Sequence, residues 1–150
     1  LSDRNKTQGI FWEMFLESLK EKSEIYSNIS AQPRPYIGCG TGLRGTGYNV
    51  VVTKDKVQVE IYIDRGKGRD EENMKIFNTL LGEKKQIEEA FGNELIWEDL
   101  PTRRACRIRF QSNIGGLGDK DSWQSAHDYL VDNLIKLKEA FHKPINKISF

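Results

Sequence analysis

The feature that most narrows what this chain can fold into is a pair of alternating runs with almost nothing between them. Tyr48, Val50 and Val52 alternate with Asn49, Val51 and Thr53, while Val57, Val59, Ile61 and Ile63 alternate with Gln58, Glu60, Tyr62 and Asp64. Apolar side chains at every second position place one face of each run on a core, so both read as strands. The join Lys54-Asp55 is short enough for a tight antiparallel hairpin, although it lacks the Asn-Gly or Asp-Gly of the commonest two-residue turns. Val57, Val59, Ile61 and Ile63 then face the core, and Glu60, Tyr62 and Asp64 face the other way.

Helical periodicity surrounds this hairpin. From Thr7 to Tyr26, Phe11, Phe15 and Leu19 recur at four-residue steps, with Ile10, Met14 and Leu16 on the same broad face. The stretch SNISAQPRPY, with Pro33 and Pro35, reads as an extended linker. After the loop RGKGRD, a second helix is expected from about Glu71 to Phe91, carrying Phe77, Leu80, Ile87 and Phe91, with Gly92 at its C-cap. Leu95 to Leu100 and Arg104 to Phe110 read as two more strands around Pro101-Thr102. Cys106, Ile108 and Phe110 point one way there, and Arg107 and Arg109 the other.

The glycine-rich loop SNIGGLGDK precedes a last helix, capped by Asp119 or Asp121 and carrying Trp123, Leu130, Leu134, Leu137 and Phe141, with Pro144 marking its end. Tyr36 to Cys39 is a candidate fifth strand. The order predicts an α+β fold, an antiparallel sheet of four to five strands with three helices packed mainly on one face.

Size and charge bound the rest. The 150 residues, 37% hydrophobic, suit a single domain, 1–150, with a core over 7–143. Lys and Arg number 23 against 22 for Asp and Glu, so there is no overall field to attract nucleic acid or membrane, and such binding needs a local patch. Cys39 and Cys106 stand alone, without metal-ligand spacing, and read as reduced thiols. Apolar runs fall far short of the ~20 residues of a membrane helix. The opening LSDRNKTQG has no secretion-signal pattern, so a cytoplasmic protein is expected, and its lack of Met fits the carboxy-terminal part of a longer protein.

Candidate chemistry is sparse. Gly40-x-Gly42-x-x-Gly45 has the spacing of a dinucleotide fingerprint, but that motif needs a helix after it, and here a strand follows; a structural glycine loop is the simpler account. Tyr36-Ile37-Gly38 matches part of a two-part nuclease motif whose other part is absent. Glu60 and Asp64 share a strand face, with Asp70 close behind, and such carboxylates hold Mg²⁺ in nucleases. The acid-x-Lys of a restriction-type core is missing, because Tyr62 stands where the lysine belongs. His127 and His142 are too far apart to ligate one metal at helical spacing, and no nucleophile elbow occurs. No catalytic residue and no cofactor are expected.

Basic residues carry the strongest functional signal. Arg65, Lys67 and Arg69 share a loop, and Arg103, Arg104, Arg107 and Arg109 follow along a strand. If both hairpins join one sheet, Arg107, Arg109 and Tyr62 share the face away from the core, where arginines grip phosphates and an aromatic stacks on bases. Cross-strand pairing with Glu60, Asp64 or Glu98 explains the same arginines more simply.

The series Phe11-Trp12, Glu60-x-Tyr62-Ile63, Asn73 with Phe77 and Leu80, Ile87-Glu88, Phe91-Gly92, Leu95-x-Trp97, Leu100, Arg107-Ile108 and Trp123 resembles a prokaryotic family, the domain of unknown function numbered four-two-six-eight. The resemblance runs from Phe11 to about Phe141. It implies a domain that stands alone or follows an amino-terminal restriction-type nuclease domain, hence an accessory role near DNA. The expected function is a non-catalytic nucleic-acid-associated or protein-interaction module linked to a nuclease or defence system, with DNA or a protein as partner. The alternatives are a divergent Mg²⁺-dependent nuclease using Glu60 and Asp64, and a structural or oligomerisation domain. The sequence leaves the oligomeric state open.

Overall fold

The computed structural model describes residues 1–99 and 105–150, so the expectations placed on Leu100, Pro101, Thr102, Arg103 and Arg104 lie outside the described residues. Helices α1 (Asp3–Lys20), α2 (Asp70–Leu81), α3 (Lys84–Phe91) and α4 (Trp123–Asn146) accompany strands β1 (Tyr36–Gly40), β2 (Thr46–Val52), β3 (Val57–Ile63), β4 (Ile96–Glu98) and β5 (Cys106–Ser112). The fold is α+β, with one antiparallel sheet in the order β1-β2-β3-β5-β4. Both hairpins belong to that one sheet. In the second, Ile96 pairs with Arg109, Trp97 with Ile108 and Glu98 with Arg107.

Among the described residues, four α-helices replace the expected three. The helix expected from Glu71 to Phe91 is broken at Gly82 and Glu83, where Gly82 N donates to Asn78 O and Glu83 N to Leu80 O, closing one helix before the next begins. Glycine is a poor residue for a helix interior. Gly92 does cap α3, donating its N–H to Glu88 O at 2.8 Å.

At the other end of the chain, α1 starts earlier than expected because Ser2 accepts from Asn5 N at 3.1 Å as an N-cap. It stops at Lys20, and Tyr26 is buried from the turn that follows. Its buried stripe is Phe11, Trp12, Phe15 and Leu19, whereas Ile10 and Met14 are exposed, so the apolar face is narrower than expected. Likewise α4 runs past Pro144 to Asn146, since a proline near a helix end removes a single backbone bond. Buried Ile145 anchors that last turn. Among the described residues, no helix is long and apolar enough to cross a membrane.

The chain divides into two compact units. One comprises Leu1–Cys39, Asn49–Val59 and Gln111–Ile135. Its core is aromatic: the Phe11 ring meets Trp12 at 5.0 Å, Trp123 at 5.2 Å and His127 at 4.4 Å between centroids. Here the loop SNIGGLGDK packs on the first hairpin, with Leu117 N and Gly118 N donating to Thr53 O and Lys54 O at 2.9 and 3.0 Å. A Cβ on Gly116 would lie 2.2 Å from Thr53 O, so close packing accounts for the glycines.

The other unit comprises Gly40–Tyr48, Glu60–Phe110 and Lys136–Phe150. Its core includes Ile61, Ile63, Phe77, Leu80, Phe91 and Ile108. Edge-to-face rings tie Phe91 to Phe110 at 5.0 Å and Phe77 to Trp97 at 6.2 Å. Both cysteines are free thiols.

Candidate binding surface

The described residues among those expected to carry function fall within this second unit. Strand alternation sends Ile61 and Ile63 of β3, and Cys106 and Ile108 of β5, into its core. Tyr62, Arg107 and Arg109 consequently project from the opposite face, as the alternation requires. Glu60, placed by the same alternation on the face away from the core, is nevertheless only 4% exposed. It sits at the middle of β3, an interior strand flanked by β2 and β5.

Two arginines on this face have different fates. Arg109 Nε donates to Glu98 Oε1 at 2.6 Å, across the strand pair, with 19% and 30% of the two side chains exposed. The cross-strand pairing read from the sequence is therefore real for Arg109. Arg107, directly opposite Glu98 in register, instead lies with its guanidinium carbon 5.9 Å from the centroid of the Tyr62 ring. That is the outer limit of a cation–π contact. Its Nε is buried and has no hydrogen-bond partner among the described residues.

The loop after β3 is more neutralised than its sequence implies. Arg65 Nε lies 3.0 Å from Glu72 Oε1, and Arg69 Nη1 donates to Glu72 Oε2 at 2.7 Å. One glutamate thus serves two arginines. Its hydrogen bond to Arg69 holds the Glu72 carboxyl below its ordinary range and raises the Arg69 guanidinium in turn. Asp64 Oδ1 accepts from Gly66 N at 2.9 Å, which spends that carboxylate on the turn. Lys67 is exposed at the loop tip.

Among the described residues, no three His, Cys, Asp or Glu side chains are grouped to hold a metal ion. The glycine pattern also has a structural explanation. Gly45 has φ +83°, and a Cβ there would meet Arg65 Cγ at 2.5 Å and Arg65 Cα at 2.8 Å. The loop is closed by Thr41 and Thr46, whose hydroxyls are hydrogen-bonded, and by Asp64 N donating to Gly45 O at 2.7 Å. It braces the end of β3.

A family model described as a domain of unknown function, DUF4268, matches residues 7–145. The chain belongs to the DUF4268 family. No curated protein and no solved structure matches it. For this DUF4268 chain, the residues that carried the resemblance are largely architectural: Ile87, Phe91 and Ile108 are buried, and Glu88 accepts from Leu95 N and Trp97 Nε1. Asn73 is buried and accepts from Arg65 N at 2.8 Å, so it positions the loop. Sequence reading missed Glu72, Lys75 and Phe150 around Arg65. The i, i+3 spacing of Arg69 and Glu72 was a usable signal for the first. The other two meet Arg65 only through tertiary folding.

Proposed function

We propose that this DUF4268 chain is a non-catalytic contact module for nucleic acid, working in the cytoplasm beside a nuclease or defence enzyme. The contact surface is the face of β3 and β5 that presents Arg107 and Tyr62. A single observation carries the reading: Arg109, Arg65 and Arg69 each lie at ion-pair distance from a glutamate, whereas Arg107 has no such carboxylate among the described residues and its Nε no acceptor. A guanidinium not spent on a carboxylate of the described residues keeps its charge for a charge-assisted bond to a phosphate oxygen. Tyr62 beside it offers a ring on which a base stacks. The nuclease association implied by the family resemblance agrees with such a partner.

Fluorescence anisotropy with labelled DNA across a salt series tests this. Binding is expected at low salt, weakening as salt rises, because phosphate contacts release counterions. Chains carrying R107A should bind about tenfold more weakly, consistent with the loss of one charged contact. Absence of binding at low salt, or binding indifferent to R107A, overturns the proposal. Cleavage of the DNA that a chelator abolishes would favour the metal-dependent nuclease instead.

A further inference from the structure

Arg65 is held by its edges. Its Nη1 donates to Arg44 O at 3.0 Å, its backbone N donates to Asn73 Oδ1 at 2.8 Å, and its Nε lies at ion-pair distance, 3.0 Å, from Glu72 Oε1 without a hydrogen bond to it. Gly45 packs against its stem. With only 11% of the side chain exposed, the guanidinium plane is fixed, and what remains for use is its flat face. That face is covered by the ring of Phe150, whose centroid lies 4.3 Å from Arg65 Cζ. Lys75 Nζ is 4.6 Å from the same centroid and donates to Ser149 O at 3.1 Å. Phe150 itself is 55% exposed, so its ring lies on two cations rather than in the core.

We propose that the fixed face of Arg65, with Lys75 beside it, is a stacking site for a nucleobase of single-stranded nucleic acid, occupied in cis by Phe150. This rests on the nucleic-acid reading above and names a second point of contact. A guanidinium plane stacks on any aromatic face, so the site accepts every base. Once the 149–150 segment lifts, Lys75 exchanges a neutral carbonyl for a phosphate oxygen, the stronger acceptor. The cover is weak. Two cation–π contacts of a half-exposed ring correspond to about a five- to thirty-fold preference for the covered state, small enough for an incoming strand to displace.

The test measures anisotropy of a labelled oligonucleotide and of an abasic strand of equal length. F150A is expected to bind the base-bearing strand about five- to thirty-fold more tightly than wild type, without an equal gain on the abasic strand. Adding R65K to F150A should abolish the gain, because lysine keeps the charge and lacks the flat face. Adding K75A, at an exposed position, should reduce it with the fold unaltered. Equal or weaker binding by F150A overturns the site, as does an equal gain on the abasic strand. So does a gain for a phenylalanine-containing peptide with none for the oligonucleotide. Binding that responds to R107A and ignores F150A removes this site alone. Failure of every variant to bind removes it together with the nucleic-acid reading.

Discussion

Glu88 and Trp97 are joined by a hydrogen bond of 3.1 Å, in which the indole Nε1 donates to the carboxylate Oε2 that also accepts Leu95 N at 2.7 Å. One oxygen thereby ties the end of α3 to the start of β4. Bonds to a charged acceptor in partly buried surroundings are worth more than neutral ones. E88A is expected to destabilise the chain by about 2–4 kcal/mol, since it leaves two donors without their acceptor. E88Q keeps an oxygen in place and should lose roughly half as much. Urea denaturation followed by tryptophan fluorescence reads both values, and equal losses for the two variants would contradict the charge-assisted account.

This clasp also shows how much could be read in advance. Alternation located β2, β3, β4 and β5, because a pattern such as Val57 to Ile63 has one buried solution, while Tyr36 to Cys39 was only a candidate strand. It also placed Arg107 and Arg109 on one face. It offered Glu98 as one of three partners for Arg109 without choosing among them, and offered none for Arg65. Arg109 finds Glu98 and Arg65 finds Glu72, choices set by register and by the path of α2 rather than by local spacing. The break between α2 and α3 was hidden because Ile87 lies seven residues after Leu80, so the apolar stripe stays in phase across Gly82. The cover on Arg65 was invisible for a similar reason, since Phe150 is remote in sequence.

The glycine pattern offers a contrast within one loop. A Cβ on Gly40 meets nothing within 4 Å, while one on Gly45 collides with Arg65 at a backbone φ of +83°. G40A should therefore be neutral to within about 0.5 kcal/mol. G45A should cost about 2–4 kcal/mol, combining a left-handed strain with a clash. Thermal melts of the two variants separate this account from a dinucleotide site, which would show a loss of nucleotide binding and little change in melting.

Arg107 and Arg109 should separate stability from binding. R109M removes the partner of half-buried Glu98 and is expected to destabilise by about 1–2 kcal/mol. R107M replaces a guanidinium whose Nε lacks a partner among the described residues with an apolar chain of similar length, so stability should hold or rise. Binding to DNA should show the reverse ranking, with R107M the weaker binder and its salt slope shallower by about one. A parallel loss of stability and binding in R107M would mean that Arg107 is structural.

His127 should set part of the acid sensitivity. It is buried among Phe11, Phe15 and Trp123, and desolvation lowers its pKa from the ordinary 6.5, against the opposing effects of a hydrogen bond to the Phe11 backbone and the charge of Asp128. The folded chain therefore takes up this proton less readily than the unfolded one. Stability contributed in this way is present above 6.5 and is lost as pH falls below it toward the folded-state value, with a slope of at most about 1.4 kcal/mol per pH unit. His127→Phe keeps an aromatic ring in the aromatic cluster and removes the titration. Its stability relative to wild type should accordingly improve between about pH 7 and about pH 5. Urea midpoints at the two pH values give the difference directly, and a constant offset would show that the imidazole stays neutral in both states or ionises equally in both.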